Sequence, residues 1–251
     1  MPTITVDHAE IYYARHGTAG VPLVCLHGAG GSHAGWYNAV KLLHHVSAVA
    51  LDLPAHGQST GQGRDSVAAY AEVVTGVLDA LDLPAGSGPA AVFAGHSMGG
   101  AIALWLALHQ PERVRALVLA GTGAKLRVHP DILQAAKEGR PVGSAAVLGG
   151  QSYSSSVRPP TAAPEVVYGD WVACDAFNVM DRLGEIHVPT LVLVGANDMM
   201  TPPKYAGFLA HGIKGASLVT IEGAGHSPML DKPAEVAAVI QRFIDSLQAG
   251  A

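Results

Sequence analysis

The stretch Ala90-Ala91-Val92-Phe93-Ala94-Gly95-His96-Ser97-Met98-Gly99-Gly100-Ala101-Ile102-Ala103-Leu104 constrains the fold more than any other part of the chain. An apolar run with the pattern of a buried strand ends on Gly95-His96-Ser97-Met98-Gly99. An apolar run with the pattern of a buried helix follows at once. A serine on so tight a strand-to-helix turn has one good chemical reason to be there, because the turn lifts its Oγ clear of the backbone. Such a position needs positive φ and neighbours without bulk, which Gly95 and Gly99 supply. The motif alone is cheap in a chain with 30 glycines among 251 residues. The strand before it and the helix after it give it weight.

The same alternation runs through most of the chain. Residues 3–16 alternate in polarity and carry Ile4, Val6, Ile11, Tyr12 and Tyr13, which predicts two short antiparallel strands turning near Asp7-His8. Residues 22–26 are a continuous apolar run, the pattern of a strand covered on both faces, and residues 46–51, 114–120 and 190–195 read as further strands, the first two of them buried. Residues 217–221 add a last strand. Helices are expected near 36–43, over 67–81 and near 203–209. In the second, Val67, Tyr70, Ala71, Val74, Val77, Leu78 and Leu81 form one apolar stripe, which the Gly/Pro-rich residues 84–89 break. A final helix opens with Pro233 in its first turn and carries Val236, Val239, Ile240, Phe243, Ile244 and Leu247 on its apolar face. This order predicts right-handed crossovers and a mostly parallel sheet. Periodicity fails between 121 and 182, apart from weak helical stretches and a helix over 165–183. One α/β domain with an insertion of about 60 residues after the sixth strand is therefore expected, and so long a connection suits a lid or binding element.

Composition narrows the function classes. Hydrophobic residues make up 49% of the chain and charged residues only 14%, enough for a large core and too apolar for extensive disorder. The net charge of −5 and the lack of any Lys/Arg-rich run exclude nucleic acid and anionic membrane surfaces as expected partners. The first residues lack a basic and an apolar region, so no signal peptide is read. No stretch of about 20 apolar residues exists, so no transmembrane helix and no membrane insertion are expected. Cys25 lies in an apolar run and reads as core packing. With Cys174 in a different region, a reduced, cytoplasmic chain is the simpler expectation.

A serine at neutral pH is a poor nucleophile and needs a base, an orienting acid and donors for the oxyanion. Each has a candidate at a predicted strand end, and in an open α/β sheet these ends converge on one rim. Among 13 histidines, His226 stands out in Gly223-Ala224-Gly225-His226-Ser227-Pro228, directly after the last strand. Asp198 follows the strand at 190–195 by a short turn, where a buried carboxylate can hold an imidazole Nδ1–H. Asp170, Asp175 and Asp181, in the insertion, are rival acids. The Met98 N–H opens a helix, where donors are free and the dipole favours negative charge. The Ala29 N–H, in His27-Gly28-Ala29-Gly30-Gly31, is the second expected oxyanion donor. His27 is expected to brace that loop, Asp52 to fix its own turn, and Trp36 to pack in the core. No metal-ligand spacing and no nucleotide-binding glycine pattern occurs, so no metal and no cofactor are called for.

With these residues in place, the chain resembles α/β-hydrolase fold proteins of the serine esterase and lipase type. The resemblance rests on His27-Gly28-Ala29, the loop Asp52 to Ser59, the Gly95-His96-Ser97-Met98-Gly99 elbow, and Asp198 and His226 in the order Ser, Asp, His. Pro54-Ala55 departs from the basic residue often found before His-Gly. The resemblance implies an eight-stranded, mostly parallel sheet flanked by helices. It implies a core of residues 1–123 and 183–251 and a small helical cap at 124–182. The implied function is hydrolysis of small, mostly apolar carboxylic esters through an acyl-enzyme at Ser97. A serine at this position argues against epoxide hydrolases and dehalogenases, which use a carboxylate nucleophile. A carbon–carbon bond hydrolase of ring-cleavage products and a slow-turnover ligand receptor are the alternatives. The expected partner is a small-molecule ester, with a homodimer left open.

Overall fold

The computed structural model describes residues 2–83, 90–140 and 161–249. Eight strands form one sheet: β1 (Thr3–Val6), β2 (Ala9–His16), β3 (Val21–Leu26), β4 (Val46–Leu51), β5 (Ala91–His96), β6 (Val114–Ala120), β7 (Thr190–Gly195) and β8 (Ser217–Ile221). Their order across the sheet is β1-β2-β4-β3-β5-β6-β7-β8. β1 and β2 pair antiparallel, as does β2 with β4, and all other pairings are parallel. Asp7 and His8 turn the first hairpin at φ 48° and 60°.

The largely apolar runs are strands buried on both faces, and their side chains divide by alternation. Val24 and Leu26 of β3, Phe93 of β5, Leu117 and Leu119 of β6, and Val192 and Val194 of β7 pack into one core layer. Leu23, Cys25, Val92, Ala94, Val118, Leu191 and Leu193 pack into the other. Helices α2 (Val67–Ala80), α3 (Met98–His109) and α6 (Pro203–Gly212) contribute to the first layer. Helices α1 (Ala34–Val40) and α8 (Pro233–Ala249) contribute to the second. The Tyr70–Leu78 stripe of α2 is buried as its spacing predicts, and Trp36 is 1% exposed with its indole N–H donating to the Leu26 carbonyl at 3.0 Å.

Two helix expectations are corrected. The helix expected near 36–43 is Ala34–Val40; Leu43 is buried in the turn beyond it. The helix expected over 165–183 ends at Ala176: α5 spans Pro164–Ala176, Phe177 turns extended, and a 3-10 turn spans Met180–Glu185. The break has a local cause. The backbone at 177–179 pairs with the chain leaving β6, through Leu126 N–H to Phe177 O, Val179 N–H to Ala124 O and a Lys125–Asn178 bridge. Between β6 and β7 the described chain also holds α4 (Pro130–Lys137), and α4 packs on α5. The expected break at 84–89 and the Ser/Pro-rich residues at 154–160 lie outside the described residues.

The sheet order itself places a crevice. From β3 the chain turns to β4 on one side and then crosses to β5 on the other, so the loops after β3 and β5 diverge at a topological switch point. The approach of α3 to β3 at this point depends on glycine. A Cβ at Gly99 would collide with the backbone carbonyls of Leu26 and His27, whereas one at Gly207 in α6 would meet nothing within 4 Å. Gly99→Ala is therefore expected to destabilise by about 1–3 kcal/mol, because backbone atoms rather than flexible side-chain ends must yield. Gly207→Ala is expected to stabilise by about 0.5–1 kcal/mol. Urea unfolding midpoints at unchanged slope check both.

Candidate active site

Ser97 sits between β5 and α3 at φ 53° and ψ −117°, a conformation costing a non-glycine residue about 1–3 kcal/mol. The surroundings hold it there. Its N–H donates to the Ala120 carbonyl at 3.0 Å, and its own carbonyl accepts from Gly100 N–H at 2.9 Å and the Thr122 hydroxyl at 2.8 Å. A Cβ at Gly95 would collide with the backbone of Gly99 and Gly100, so strand and helix meet only because both sides of the turn lack side chains.

His226 lies on the loop between β8 and α7 (Pro228–Asp231), and Asp198 on the turn after β7. The structure brings them together: His226 Nδ1 is 3.1 Å from Asp198 Oδ1 and 3.0 Å from Oδ2, with both residues buried. Asp198 Oδ1 accepts the N–H groups of Met200 and Thr201, each at 2.9 Å, and Oδ2 accepts the Thr201 hydroxyl at 2.8 Å. Burial works against the Asp198 charge, but the His226 and Thr201 contacts outweigh it and hold the carboxyl below its ordinary range. A carboxylate at Nδ1 fixes the proton there and leaves Nε2 with a lone pair, the state of a general base. The loop is pinned by a second histidine, since His96 Nε2–H donates to the His226 carbonyl at 2.9 Å. Ser97 and His226 line one cavity.

The loop after β3 closes the other side. A Cβ at Gly28 would lie 3.0 Å from the Ser97 Cβ, so the loop runs directly against the serine. His27 braces it. Its Nε2 accepts the Leu53 N–H at 3.0 Å, so Nδ1 carries the proton and donates to the Gly28 carbonyl at 2.8 Å. Gly31 N–H donates to the same carbonyl at 3.0 Å. Carbonyl and N–H of one trans peptide point in opposite directions, so holding the Gly28 oxygen aims the Ala29 N–H the other way. Neither Ala29 N–H nor Met98 N–H has an acceptor among the described residues.

The remaining candidates fall elsewhere. Asp52 fixes its turn, accepting from His33 N–H at 2.6 Å and Gln58 N–H at 2.9 Å. The rival acid Asp170 is buried but engaged by His56, Tyr70 and Gly30, and Asp175 accepts the Val128 N–H. Asp181 is exposed. Both cysteines are free, and burial pushes their thiols far up, so Cys174, which lines the cavity, is a thiol and not a thiolate. Among the described residues no group of three or more His, Cys, Asp and Glu could hold a metal ion, and no helix is long and apolar enough to cross a membrane.

The residues that support the site are less legible in the sequence than the site itself. Thr201, three residues after Asp198, has the spacing of an Asx-type turn and was findable. The cavity wall was not: Leu126, Val128 and Ile132, Trp171 of α5, and Met199 and Met200 meet there from separated segments.

Two buried histidines, His27 and His56, and the half-buried His96 make stability depend on pH with opposite signs. Burial, reinforced by the neighbouring His226, pushes His96 down to about 3, and burial likewise lowers His27. The unfolded chain takes up protons near pH 6.5 that these folded residues refuse, so stability falls as pH drops below 6.5, by about 1.4 kcal/mol per pH unit per proton withheld. For His56, burial alone would lower the value, but the Asp170 carboxylate raises it. Its contribution is complete below 6.5 and is lost as pH rises through its folded value. Urea unfolding from pH 7 to 5 should show the acid-side slope, and His96→Asn should flatten it by about one proton.

Comparison with known proteins points to one family and fold. The model of the alpha/beta hydrolase family matches residues 23–239. A pimeloyl-[acyl-carrier protein] methyl ester esterase of Neisseria meningitidis serogroup B is 28% identical over 223 residues, covering 78% of this chain and 81% of the relative. The solved structure described as Est816, an N-acyl homoserine lactone degrading enzyme, is 30% identical with a TM-score of 0.80, covering 96% of this chain and 100% of the other. A hydrolase from Pseudomonas aeruginosa PA01 is 27% identical with a TM-score of 0.81, covering 96% of each chain. With the strand order, the serine elbow and a family match over most of its length, the chain belongs to the alpha/beta hydrolase family.

Proposed function

We propose that this protein is a serine ester hydrolase acting on small, mostly apolar carboxylic esters. The observation that carries the reading is the buried His226–Asp198 pair opening onto the same cavity as the strained Ser97. His226 Nε2 takes the Ser97 hydroxyl proton as Oγ attacks the acyl carbonyl. The tetrahedral oxyanion is held by the Ala29 and Met98 N–H groups, and the start of α3 adds its dipole. His226 returns the proton to the departing alcohol, leaving an acyl-Ser97. Water, deprotonated by the same imidazole, releases the acid. Asp198 stays ionised throughout and stabilises the imidazolium.

The cavity supports small substrates. Its volume of about 130 Å³ lies below the roughly 300–1,000 Å³ of sites for drug-sized ligands. Leu126, Val128, Ile132 and Met200 supply apolar wall. Of the relatives, one is named for hydrolysing a methyl ester, which breaks an acyl–oxygen bond, and another for degrading an N-acyl homoserine lactone, whose ring contains such a bond.

The test is a series of p-nitrophenyl esters from acetate to decanoate, with an acyl homoserine lactone, an anilide, a thioester and a vinylogous diketone acid alongside. Fastest turnover on acetate or butyrate supports the reading. Preference for the diketone acid would assign carbon–carbon bond hydrolysis instead. A single slow turnover on every compound would favour a ligand receptor.

A further inference from the structure

We infer that Asp170, on cap helix α5, is a positioning residue that sets the oxyanion donor at Ala29 by gripping the next peptide of the same loop. The inference rests on the ester hydrolase reading.

The Asp170 carboxylate is fully buried and accepts three hydrogen bonds, all from residues outside its own helix. Oδ2 accepts Gly30 N–H at 2.7 Å and His56 Nε2–H at 2.8 Å, and Oδ1 accepts the Tyr70 hydroxyl at 2.5 Å. The other ring nitrogen of His56 faces the Pro54 carbonyl at 2.9 Å. Both nitrogens face acceptors, so both donate, and His56 is an imidazolium paired with a buried carboxylate. The Tyr70 hydroxyl in turn accepts the Arg64 N–H at 3.1 Å, so every member of the cluster is engaged. A charged, saturated cluster of this kind holds its geometry tightly, because displacing any member leaves a buried polar group unpaired.

What it holds is the loop of the expected oxyanion donor. Gly30 sits at φ 65°, immediately after Ala29. Its N–H goes to Asp170, and its carbonyl accepts the Thr161 N–H at 2.9 Å, just ahead of α5. The Thr161 hydroxyl donates to the Gly31 carbonyl. On the near side, the Gly28 carbonyl is held by His27. The Ala29 N–H is thus bracketed: His27, from the core, fixes the peptide that contains it, and α5, from between β6 and β7, fixes the next one. The neighbouring Trp171 and Cys174 of α5 line the substrate cavity. One helix therefore meets both the substrate and the oxyanion loop.

The experiment uses the full chain with Asp170→Ala, Asp170→Asn and Tyr70→Phe, and follows kcat and KM on p-nitrophenyl butyrate. It also follows inhibition by a trifluoromethyl ketone, which forms a tetrahedral oxyanion on Ser97. Asp170→Ala should lower kcat about 10–100-fold with KM little changed, and weaken the ketone by a similar factor. Asp170→Asn keeps an acceptor for Gly30 N–H and should recover part of both. Tyr70→Phe frees one side of the carboxylate and should give a smaller loss in the same direction. If Asp170→Ala fails to fold, the other two variants decide. Full kcat and full ketone affinity in folded Asp170→Asn and Tyr70→Phe overturn the inference, as does a loss confined to KM or to melting temperature. A wild-type chain that turns over no ester removes the hydrolase reading, and the inference with it. An active wild-type chain with fully active variants overturns the inference alone.

Discussion

Replacing Ser97 by alanine is expected to lower kcat on p-nitrophenyl butyrate by about 10⁶-fold, leaving only the residual rate that binding and oxyanion contacts sustain. The fold should survive, because the hydroxyl is not what keeps Ser97 in place. Its backbone N–H and carbonyl are held by Ala120, Gly100 and Thr122, and alanine makes the same bonds. Alanine also inherits the strained φ of 53°. Glycine does not, so Ser97→Gly should be equally inactive yet more stable than Ser97→Ala, by about 1 kcal/mol after its greater unfolded-state entropy is counted. Rates with circular dichroism and melting curves check the set. Retained turnover in the alanine variant would remove Ser97 from the chemistry, and equal stability of the two would remove the strain argument.

Asp198→Asn is expected to lower kcat by about 10⁴-fold, and the reason lies in which oxygen each neighbour uses. Oδ1 accepts two backbone N–H groups, from Met200 and Thr201, which no rearrangement of side chains can reverse. The asparagine oxygen must therefore take the Oδ1 position and its NH₂ the Oδ2 position. There the Thr201 hydroxyl turns to accept, and the amide donates toward His226 Nδ1, now 3.0 Å away. That forces the ring proton onto Nε2, the nitrogen required as base. Nuclear magnetic resonance of the histidine ring nitrogens should show the Nδ1–H tautomer in the wild type and the Nε2–H tautomer in the variant. A variant with the altered tautomer and unimpaired kcat would show that His226 does not act as the base.

The strands were legible because burial on both faces demands largely apolar runs, and the runs ending at Leu26, Leu51, Ala120 and Gly195 suit the inside of a sheet. Helix ends were less legible where a tertiary contact outweighed local pattern. Phe177 leaves the helix because its carbonyl pairs with Leu126, 51 residues away in sequence, and nothing in the local spacing announces that. Asp170 shows the same limit. By sequence it was one more carboxylate in the insertion, a rival for the place of Asp198. In the fold its carboxylate is filled by Gly30, His56 and Tyr70, residues 140, 114 and 100 positions away.

By itself, then, the sequence determined the layered α/β architecture and the glycine-flanked turn at Ser97, because hydrophobic period and backbone strain are local properties written into neighbouring residues. It also set the order in which serine, aspartate and histidine reach strand ends. Only the tertiary structure decided that His226 Nδ1 meets the Asp198 carboxylate, that the Gly28 loop lies against Ser97, and that α5 reaches across to Gly30. Those contacts join segments brought together by the sheet order and by the packing of α4 and α5, and long-range closure of that kind leaves no period in the chain to be read.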